Sequence, residues 1–188
     1  LRDHGTGPYR PDSHFLGSHV CAHAANKLAR NATQTTGSMV AHLKKDNHVF
    51  WVTGTAAPCT AIFKPVWLNE KPLPDIGPLP GRRFDRNTLW WHHELLHRSI
   101  LHDYRHRIKI IARERDLMEE KYCNAAVRLQ PDKRPDLTCR AFRGARQATE
   151  RWILSIQAAG PQSKNRLSYR RYWKLQNKKA GIENKIAG

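Results

Sequence analysis

The pattern of hydrophobic and polar positions predicts a small sheet in the first part of the chain. Residues 48–54 (HVFWVTG) are rich in β-branched and aromatic residues, which is typical of a strand. Residues 35–43 (TTGSMVAHL) have a similar character, and the polar residues 44–47 between the two segments predict an antiparallel hairpin. A third strand is predicted at 60–68, where Pro65 indicates a sheet edge or a bulge because proline cannot donate a ladder hydrogen bond.

The pattern becomes helical after a linker at 69–82 that is rich in proline and glycine. No proline or glycine interrupts residues 84–126, and apolar residues recur there at helical spacing, so one long helix is predicted. Two further helices are predicted at 137–158 and 165–180, which makes the fold class α+β. No apolar run approaches the roughly 18 residues that a membrane span needs, so no transmembrane segment is predicted.

Positive charge is concentrated towards the C-terminus. The chain has 33 Lys+Arg against 16 Asp+Glu and a formal net charge of +17, and residues 140–188 contain 12 basic and only 2 acidic residues. A surface of this charge density favours a polyanionic partner, and the phosphate backbone of RNA is the commonest one. Anionic lipid is the rival partner, and a merely solvated basic surface is the third interpretation.

The predicted RNA contacts lie on the last two helices. Basic side chains neutralise phosphates, and aromatic side chains stack on unpaired bases. In the last helix both types recur at a spacing of four residues, on neighbouring edges. The alternative is that these aromatic residues are packing residues on a solvated cationic helix. The predicted RNA-binding residues are Arg140, Arg143, Arg146, Arg151, Lys164, Arg166, Tyr169, Arg170, Arg171, Trp173, Lys174, Lys178 and Lys179.

Residues 93–97 (HELLH) match the HExxH motif, in which two histidines on one helical face bind zinc and the glutamate polarises a water molecule. The motif lacks a third ligand here, because the next acidic residues lie too far along the same predicted helix. His93 and His97 are therefore only weak zinc candidates, and we predict a cluster of histidines on the helix surface. No catalytic residue, metal or cofactor is predicted.

The cysteines give a second weak metal signal. The alternation of His19, Cys21 and His23 would place three possible ligands on one face of a strand. No second pair of ligands follows at metal spacing, so we interpret Cys21 as a buried residue flanked by polar histidines. Cys59 follows a proline, and a packed turn residue is favoured over a reactive thiol. The four cysteines form no CxxC pair, which indicates reduced thiols in an intracellular or organellar compartment.

Several strings of residues are specific enough to suggest a family. The strings TTGSMVAHL, HVFWVTGTAAPCTAIFKPVWL and TLWWHHELLHRSILHDY, with LRDHG at the start, resemble the C-terminal half of the secernin and dipeptidase family of cysteine N-terminal-nucleophile hydrolases. The resemblance covers roughly residues 1–122. It implies a partial Ntn-hydrolase-like domain with αββα layers at 1–126, followed by an unrelated basic helical extension at 127–188.

The resemblance also bears on catalysis. In that family the nucleophile is a cysteine freed at the N-terminus, and its own α-amino group is the general base. This chain begins with Leu1 and all four of its cysteines are internal, so we expect no catalytic activity.

These observations together predict a catalytically silent, hydrolase-derived structural subunit of a ribonucleoprotein. A mitochondrial ribosome is the predicted host, in the mitochondrial matrix, with ribosomal RNA and neighbouring protein subunits as partners. Two alternatives stay open. The chain could be the C-terminal part of a split cysteine dipeptidase or amide hydrolase, or an accessory subunit of an organellar membrane complex whose lipid meets the basic extension.

Overall fold

A computed structural model describes residues 1–6, 8–13, 19–26, 33–45, 47–68 and 74–186. Within these residues the chain forms one three-stranded sheet and four α-helices, so the predicted α+β class is confirmed. Parts of the predicted hairpin turn and linker, at residue 46 and residues 69–73, lie outside the described residues. The elements are β1 (Met39–His42), β2 (Val49–Val52), β3 (Lys64–Val66), α1 (Leu89–Leu101), α2 (Tyr104–Val127), α3 (Arg134–Ala159) and α4 (Leu167–Ala180), with 3-10 turns at Pro131–Lys133 and Glu183–Lys185.

The sheet has the order β1-β2-β3, and both pairings are antiparallel. Met39 of β1 lies opposite Val52 of β2, which confirms the predicted hairpin. Pro65 lies in β3 opposite Trp51, at the sheet edge where proline is tolerated. β3 is much shorter than the predicted 60–68 because residues 58–60 form a turn, closed by a hydrogen bond from the Thr60 N–H to the Ala57 carbonyl.

The prediction of one uninterrupted helix at 84–126 is wrong. The described chain begins α1 at Leu89, where the Thr88 hydroxyl accepts a hydrogen bond from the Trp91 N–H, and it breaks between α1 and α2. Asp103 lies in the break, and its carboxylate accepts hydrogen bonds from the backbone N–H groups of Gln162 and Ser163. The corner is therefore stabilised by a loop sixty residues away, which the local pattern of apolar residues cannot reveal.

The two later helices are confirmed, and α3 lies at the centre of the packing. It contacts α1, α2 and β3. The division at residue 126 stays a prediction, and the hydrophobic core contains residues from both sides of it. No helix among the described residues is long and apolar enough to cross a bilayer. Fully buried core residues include Leu96, Ile100, Ile111, Ala141, Ala148 and Ile156.

Candidate metal centre and basic surface

Four potential metal ligands from three separate segments meet inside the fold. They are His4, Cys21, His23 and Cys59, which we call the His–Cys cluster, and their ligand atoms all lie within 4.8 Å of one another. His4 is partly exposed and the other three are buried. The Nε2 atom of His23 lies 3.1 Å from Nε2 of His4, 3.6 Å from Sγ of Cys21 and 3.3 Å from Sγ of Cys59.

Hydrogen bonds to backbone carbonyls bring the three segments together. The Cys21 N–H donates to the Asp3 carbonyl over 3.1 Å, which places the segment 19–26 beside the N-terminus. The Arg2 guanidinium donates to the Pro58 and Ala61 carbonyls over 2.8 and 3.1 Å, which holds the N-terminus against the turn that carries Cys59. The cluster is thus assembled by tertiary contacts rather than by one local motif.

The two thiols of the cluster differ in acidity. A hydrogen bond from Cys59, with a further one from His4, holds the pKa of the Cys21 thiol well below its usual range. Burial, together with the neighbouring Cys21, raises the pKa of the Cys59 thiol. Burial also lowers the pKa of His23 to about 4, so this histidine is neutral at pH 7. Of the two thiols, that of Cys21 is therefore the more acidic, and it lies beside the neutral imidazole of His23.

A line of buried polar groups leads away from the cluster into α1. Nδ1 of His23 lies 2.9 Å from Nε2 of His97, and Nδ1 of His97 lies 3.0 Å from Oε2 of Glu94. The other carboxylate oxygen of Glu94 accepts a hydrogen bond of 2.7 Å from Nε of Arg98. Burial raises the pKa of Glu94, but His97 and Arg98 outweigh this effect and hold it at about 2. Glu94 is thus ionised and orients the imidazole of His97 towards His23.

The two histidines of the HExxH sequence are therefore buried, whereas the sequence predicts them at the helix surface. His93 and His97 are 5% and 0% exposed, so the prediction of a surface histidine cluster is wrong. Nε2 of His93 lies 3.1 Å from the Thr60 hydroxyl and 3.1 Å from the Ala56 carbonyl, whereas His97 faces His23. The two histidines point to different partners and do not form a metal site with each other.

The predicted strand of His19, Cys21 and His23 is also corrected. The structure assigns no strand to residues 19–26, and His19 does not belong to the His–Cys cluster. Two members of the alternation, Cys21 and His23, belong to the His–Cys cluster, although the spacing alone favours a buried cysteine over a site, and the burial of Cys21 and Cys59 is confirmed. His4 and Cys59 were missed as their partners because only the tertiary fold brings residues so distant in sequence together.

Aromatic rings enclose the cluster on one side. Tyr9 stacks on His4 with ring centroids 4.1 Å apart, and Tyr104 lies edge-on to His23 at 5.7 Å. The Tyr104 hydroxyl is hydrogen-bonded to Cys59. Burial raises the pKa of Tyr104 above its usual range, so its hydroxyl is neutral and serves as a donor to sulfur. These rings cover the two histidines of the cluster on this side.

The predicted RNA-binding residues of α3 occupy two environments. Arg140, Arg143 and Arg151 share one exposed face of the helix, and Arg151 donates to Glu114 over 2.6 Å. Arg146 instead donates to the backbone carbonyls of Arg86 and Asn87, so it connects α3 to the segment before α1. Arg146 therefore makes a structural contact, and Glu114 partly neutralises the charge of Arg151.

On α4 the cations and the aromatic rings separate cleanly. Tyr169 and Trp173 are buried in the hydrophobic core, and the guanidinium of Arg98 lies 5.1 Å from the Trp173 ring. These two rings are not available to stack on bases, and the packing interpretation describes them. The cations of α4 and of the residues just before it are exposed, and we call them the α4 basic face: Lys164, Arg166, Arg170, Arg171, Lys174, Lys178 and Lys179.

A groove of about 560 Å³ lies along α4. Arg170, Arg171 and Lys174 of the α4 basic face line it together with Arg98 of α1. The described residues that line it include neither aspartate nor glutamate. The groove thus combines an apolar floor, which includes Trp173, with a positively charged rim.

Comparisons with protein-family models, with curated proteins and with solved structures found no match to this chain. The resemblance to secernins and dipeptidases therefore stays a prediction from the sequence.

Proposed function

We propose that this chain is a structural, RNA-binding subunit of a ribonucleoprotein. The observation that carries the proposal is the groove along α4, which is rimmed by Arg170, Arg171 and Lys174 and has no carboxylate among its described lining residues. The role is that of binding and positioning rather than catalysis, and the RNA phosphate backbone is the ligand of the α4 basic face.

The side-chain cations of the α4 basic face form no ion pair within the described residues. No acidic residue occurs in the sequence between Glu150 and Glu183, a stretch that includes the whole α4 basic face. In the part of the chain that the structure describes, none of the seven side chains of this face lies within ion-pair distance of a carboxylate. Cations that lack internal partners keep a positive potential at the surface, which attracts a polyanion and releases its counterions on binding.

The exposed face of α3 also carries positive charge. Arg140 and Arg143 are exposed there, and Glu114 of α2 accepts its hydrogen bonds from Arg151 and Trp152. Phosphate contacts of this kind fix the position of a protein on RNA and carry little sequence information. A structural subunit that binds folded RNA by its backbone needs this kind of surface.

We propose that a protein neighbour contacts the sheet. β1 is an edge strand, and its residues Met39 and Val40 are 59% and 45% exposed. Leu43, directly after the strand, is 66% exposed. Edge strands with apolar side chains are usually covered in the native assembly, because they otherwise pair with other chains. A subunit that contacts RNA through α4 and protein through β1 fits a large ribonucleoprotein, and we propose a mitochondrial ribosome as the host.

The silent-hydrolase origin belongs to the same proposal. The partial αββα layering implied by the sequence resemblance would give the sheet and α1 an enzymatic ancestry. In the described chain the thiols of Cys21 and Cys59 are buried and face histidines rather than a groove. Their position supports a structural rather than a nucleophilic role.

The first test compares two triple variants of equal charge. Binding of a fluorescently labelled stem-loop RNA is measured by anisotropy at several salt concentrations, for the full chain and for R170Q/R171Q/K174Q. We expect the groove variant to weaken binding by about tenfold or more and to reduce the slope of log K against log salt by about 2, since each phosphate contact contributes nearly one unit.

The matched control is R105Q/K109Q/R113Q, which removes the same charge from the exposed side of α2. Equal weakening by both variants would contradict a role for the groove, because it would show that only the net charge matters. Tighter binding to phosphatidylcholine vesicles that contain cardiolipin than to RNA would instead support the lipid-binding alternative.

A second experiment tests the assembly. The native protein is sedimented from its source with and without ribonuclease, at low and high salt. Migration with a large particle that is lost after ribonuclease supports the proposal. Slow migration that ribonuclease does not change would overturn it.

A further inference from the structure

We propose that the His–Cys cluster is a structural zinc site, with one ion bound by Nε2 of His4, Nε2 of His23 and the sulfurs of Cys21 and Cys59. This inference does not depend on the proposed RNA-binding function, because the cluster and the α4 basic face share no residue. It concerns how the N-terminal segments are held to the rest of the fold.

The distances fit a tetrahedral ion. With Zn–S of about 2.3 Å and Zn–N of about 2.05 Å, tetrahedral geometry separates a sulfur from a nitrogen ligand by about 3.6 Å and two nitrogens by about 3.3 Å. Nε2 of His23 lies 3.3 and 3.6 Å from the two sulfurs and 3.1 Å from Nε2 of His4. All four ligand atoms lie within 4.8 Å of one another, so small adjustments bring them to the separations of a tetrahedral site.

The charge of the cluster also calls for a cation. Both sulfurs are buried, and zinc binds sulfur as thiolate, so two such ligands here require a cation between them because burying an uncompensated charge is costly. Two thiolates and two neutral imidazoles neutralise a divalent ion completely. Binding of Zn²⁺ forms the metal–ligand bonds and releases to solvent the protons that the two thiols still carry.

The ligand set selects the metal. Two thiolates with two imidazoles in a tetrahedral arrangement are typical of zinc, whereas calcium and magnesium require oxygen ligands. Four protein ligands leave no open position for water, and this distinguishes structural from catalytic zinc sites. The rings of Tyr9 and Tyr104 add to this closure.

The surroundings of His23 match the outer shell of a metal site. A histidine that binds a metal usually donates its second ring N–H to an acceptor, which fixes the tautomer and the ring orientation. Here Nδ1 of His23 lies 2.9 Å from Nε2 of His97, and His97 is in turn oriented by Glu94. This arrangement presents Nε2 of His23 with its lone pair towards the two sulfurs.

The test measures zinc directly in the full chain. The protein is purified without chelators, reloaded with Zn²⁺, desalted and analysed by inductively coupled plasma mass spectrometry. We expect one zinc per chain, and loss of at least nine-tenths of it in C21S and C59S. The matched controls are C123S and C139S, whose cysteines lie outside the cluster and should keep the full zinc content.

Two further measurements keep the inference testable if a cysteine variant fails to fold. Replacement of zinc by Co²⁺ should give the visible absorption of tetrahedral cobalt–thiolate coordination. H4Q, which alters the partly exposed ligand, should weaken zinc binding while the protein stays folded. A zinc content near zero after reloading, unchanged zinc in C59S, or a Cys21–Cys59 disulfide in the native chain would each overturn the proposal.

Discussion

Nδ1 of His23 lies 2.9 Å from Nε2 of His97, and this contact joins the cysteine-bearing N-terminal segment to the helix that carries the HExxH sequence. The motif therefore does not bind a metal through its own two histidines. Glu94 and His97 of the motif form a buried hydrogen-bonded pair. The remaining ring nitrogen of His97 contacts His23 of the His–Cys cluster. The same residue types at the same spacing thus serve a different purpose once the fold is known.

This contact makes a sharp prediction for zinc affinity. In H97F the acceptor for the Nδ1–H of His23 is lost, and the imidazole is no longer held in the tautomer that leaves Nε2 free for a metal. We expect the zinc dissociation constant to rise by about 10- to 100-fold, the usual effect of removing such a partner. Competition with a chromophoric chelator measures it.

The matched control for this variant is H93F. His93 lies on the same helix one turn earlier and is equally buried, but it contacts Thr60 and Ala56 rather than the His–Cys cluster. Its replacement should lower the stability while leaving the zinc affinity of the folded protein nearly unchanged. An equal loss of affinity in both variants would mean that H97F acts through general destabilisation.

The local secondary structure could be predicted from the sequence, but the contacts between residues far apart in the chain could not. The hairpin and the helices at 137–158 and 165–180 follow from periodicity, which depends on neighbours a few positions away. The break at Asp103 did not follow, because a loop near Ser163 stabilises it. The candidate site could be predicted only in part for the same reason, because distant residues form it.

Two members of the site, Cys21 and His23, are adjacent enough in the sequence to be noticed. His4 and Cys59 are not, and only the turn after Ala57 and the contacts of Arg2 place them beside the first two. The aromatic residues of α4 illustrate the same point. Spacing correctly placed Tyr169 and Trp173 on one helix edge, but it could not tell whether that edge faces solvent or the core.

Gly77 is predicted to be essential for the loop before α1. Its φ of +75° favours glycine, and a Cβ atom built there would lie 2.1 Å from the Asn87 carbonyl oxygen. We expect G77A to lower the free energy of unfolding by at least about 1–2 kcal/mol, the strain of a left-handed residue alone. Urea denaturation measures it. G81A is the control, since nothing lies within 4 Å of a Cβ there and its effect should be small.

Asp103 is predicted to fix the corner between α1 and α2. Its carboxylate accepts hydrogen bonds from the Ser163 hydroxyl at 2.6 Å and from two backbone N–H groups of the α3–α4 loop. D103A leaves these donors without their acceptor, and hydrogen bonds to a charged group contribute about 1.5–3 kcal/mol each. Because Gln162 and Ser163 are exposed, water can satisfy their donors in the variant, and we expect a loss of about 2–4 kcal/mol in the free energy of unfolding rather than the full sum.

The control for Asp103 is D132A, which removes an exposed carboxylate with a single lysine partner at 3.4 Å. Exposed ion pairs contribute little, so its effect should stay below about 0.5 kcal/mol.

Burial raises the pKa of Asp103, but hydrogen bonds from Ser163 and His106 outweigh this effect and lower it to about 2. The stabilisation should therefore be present above pH 4 and be lost as the pH falls towards 2. A stability difference between wild type and D103A that does not change over this range would contradict the assignment.

Lys64 should make the stability depend on pH in the alkaline range. Its ammonium group is buried and donates to the carbonyls of Thr53 and Ile62, both over 2.7 Å. Burial lowers its pKa to about 7, although Glu119 opposes the shift. Between pH 7 and about 10.5 the unfolded chain therefore binds more protons at this residue than the folded chain, so the free energy of unfolding should rise with pH.

The measurement is urea denaturation at pH 7, 8 and 9 for the wild type and for K64M. The rise due to Lys64 should approach but not exceed about 1.4 kcal/mol per pH unit, the limit for one proton, and it should be absent in K64M. Other groups titrate equally in both proteins, so the difference between the two curves isolates Lys64. K109M, which alters an exposed lysine of α2, is the control and should follow the wild-type curve. Parallel curves for wild type and K64M would show that Lys64 stays charged in the fold, and that its two carbonyl contacts are strong enough to offset its burial.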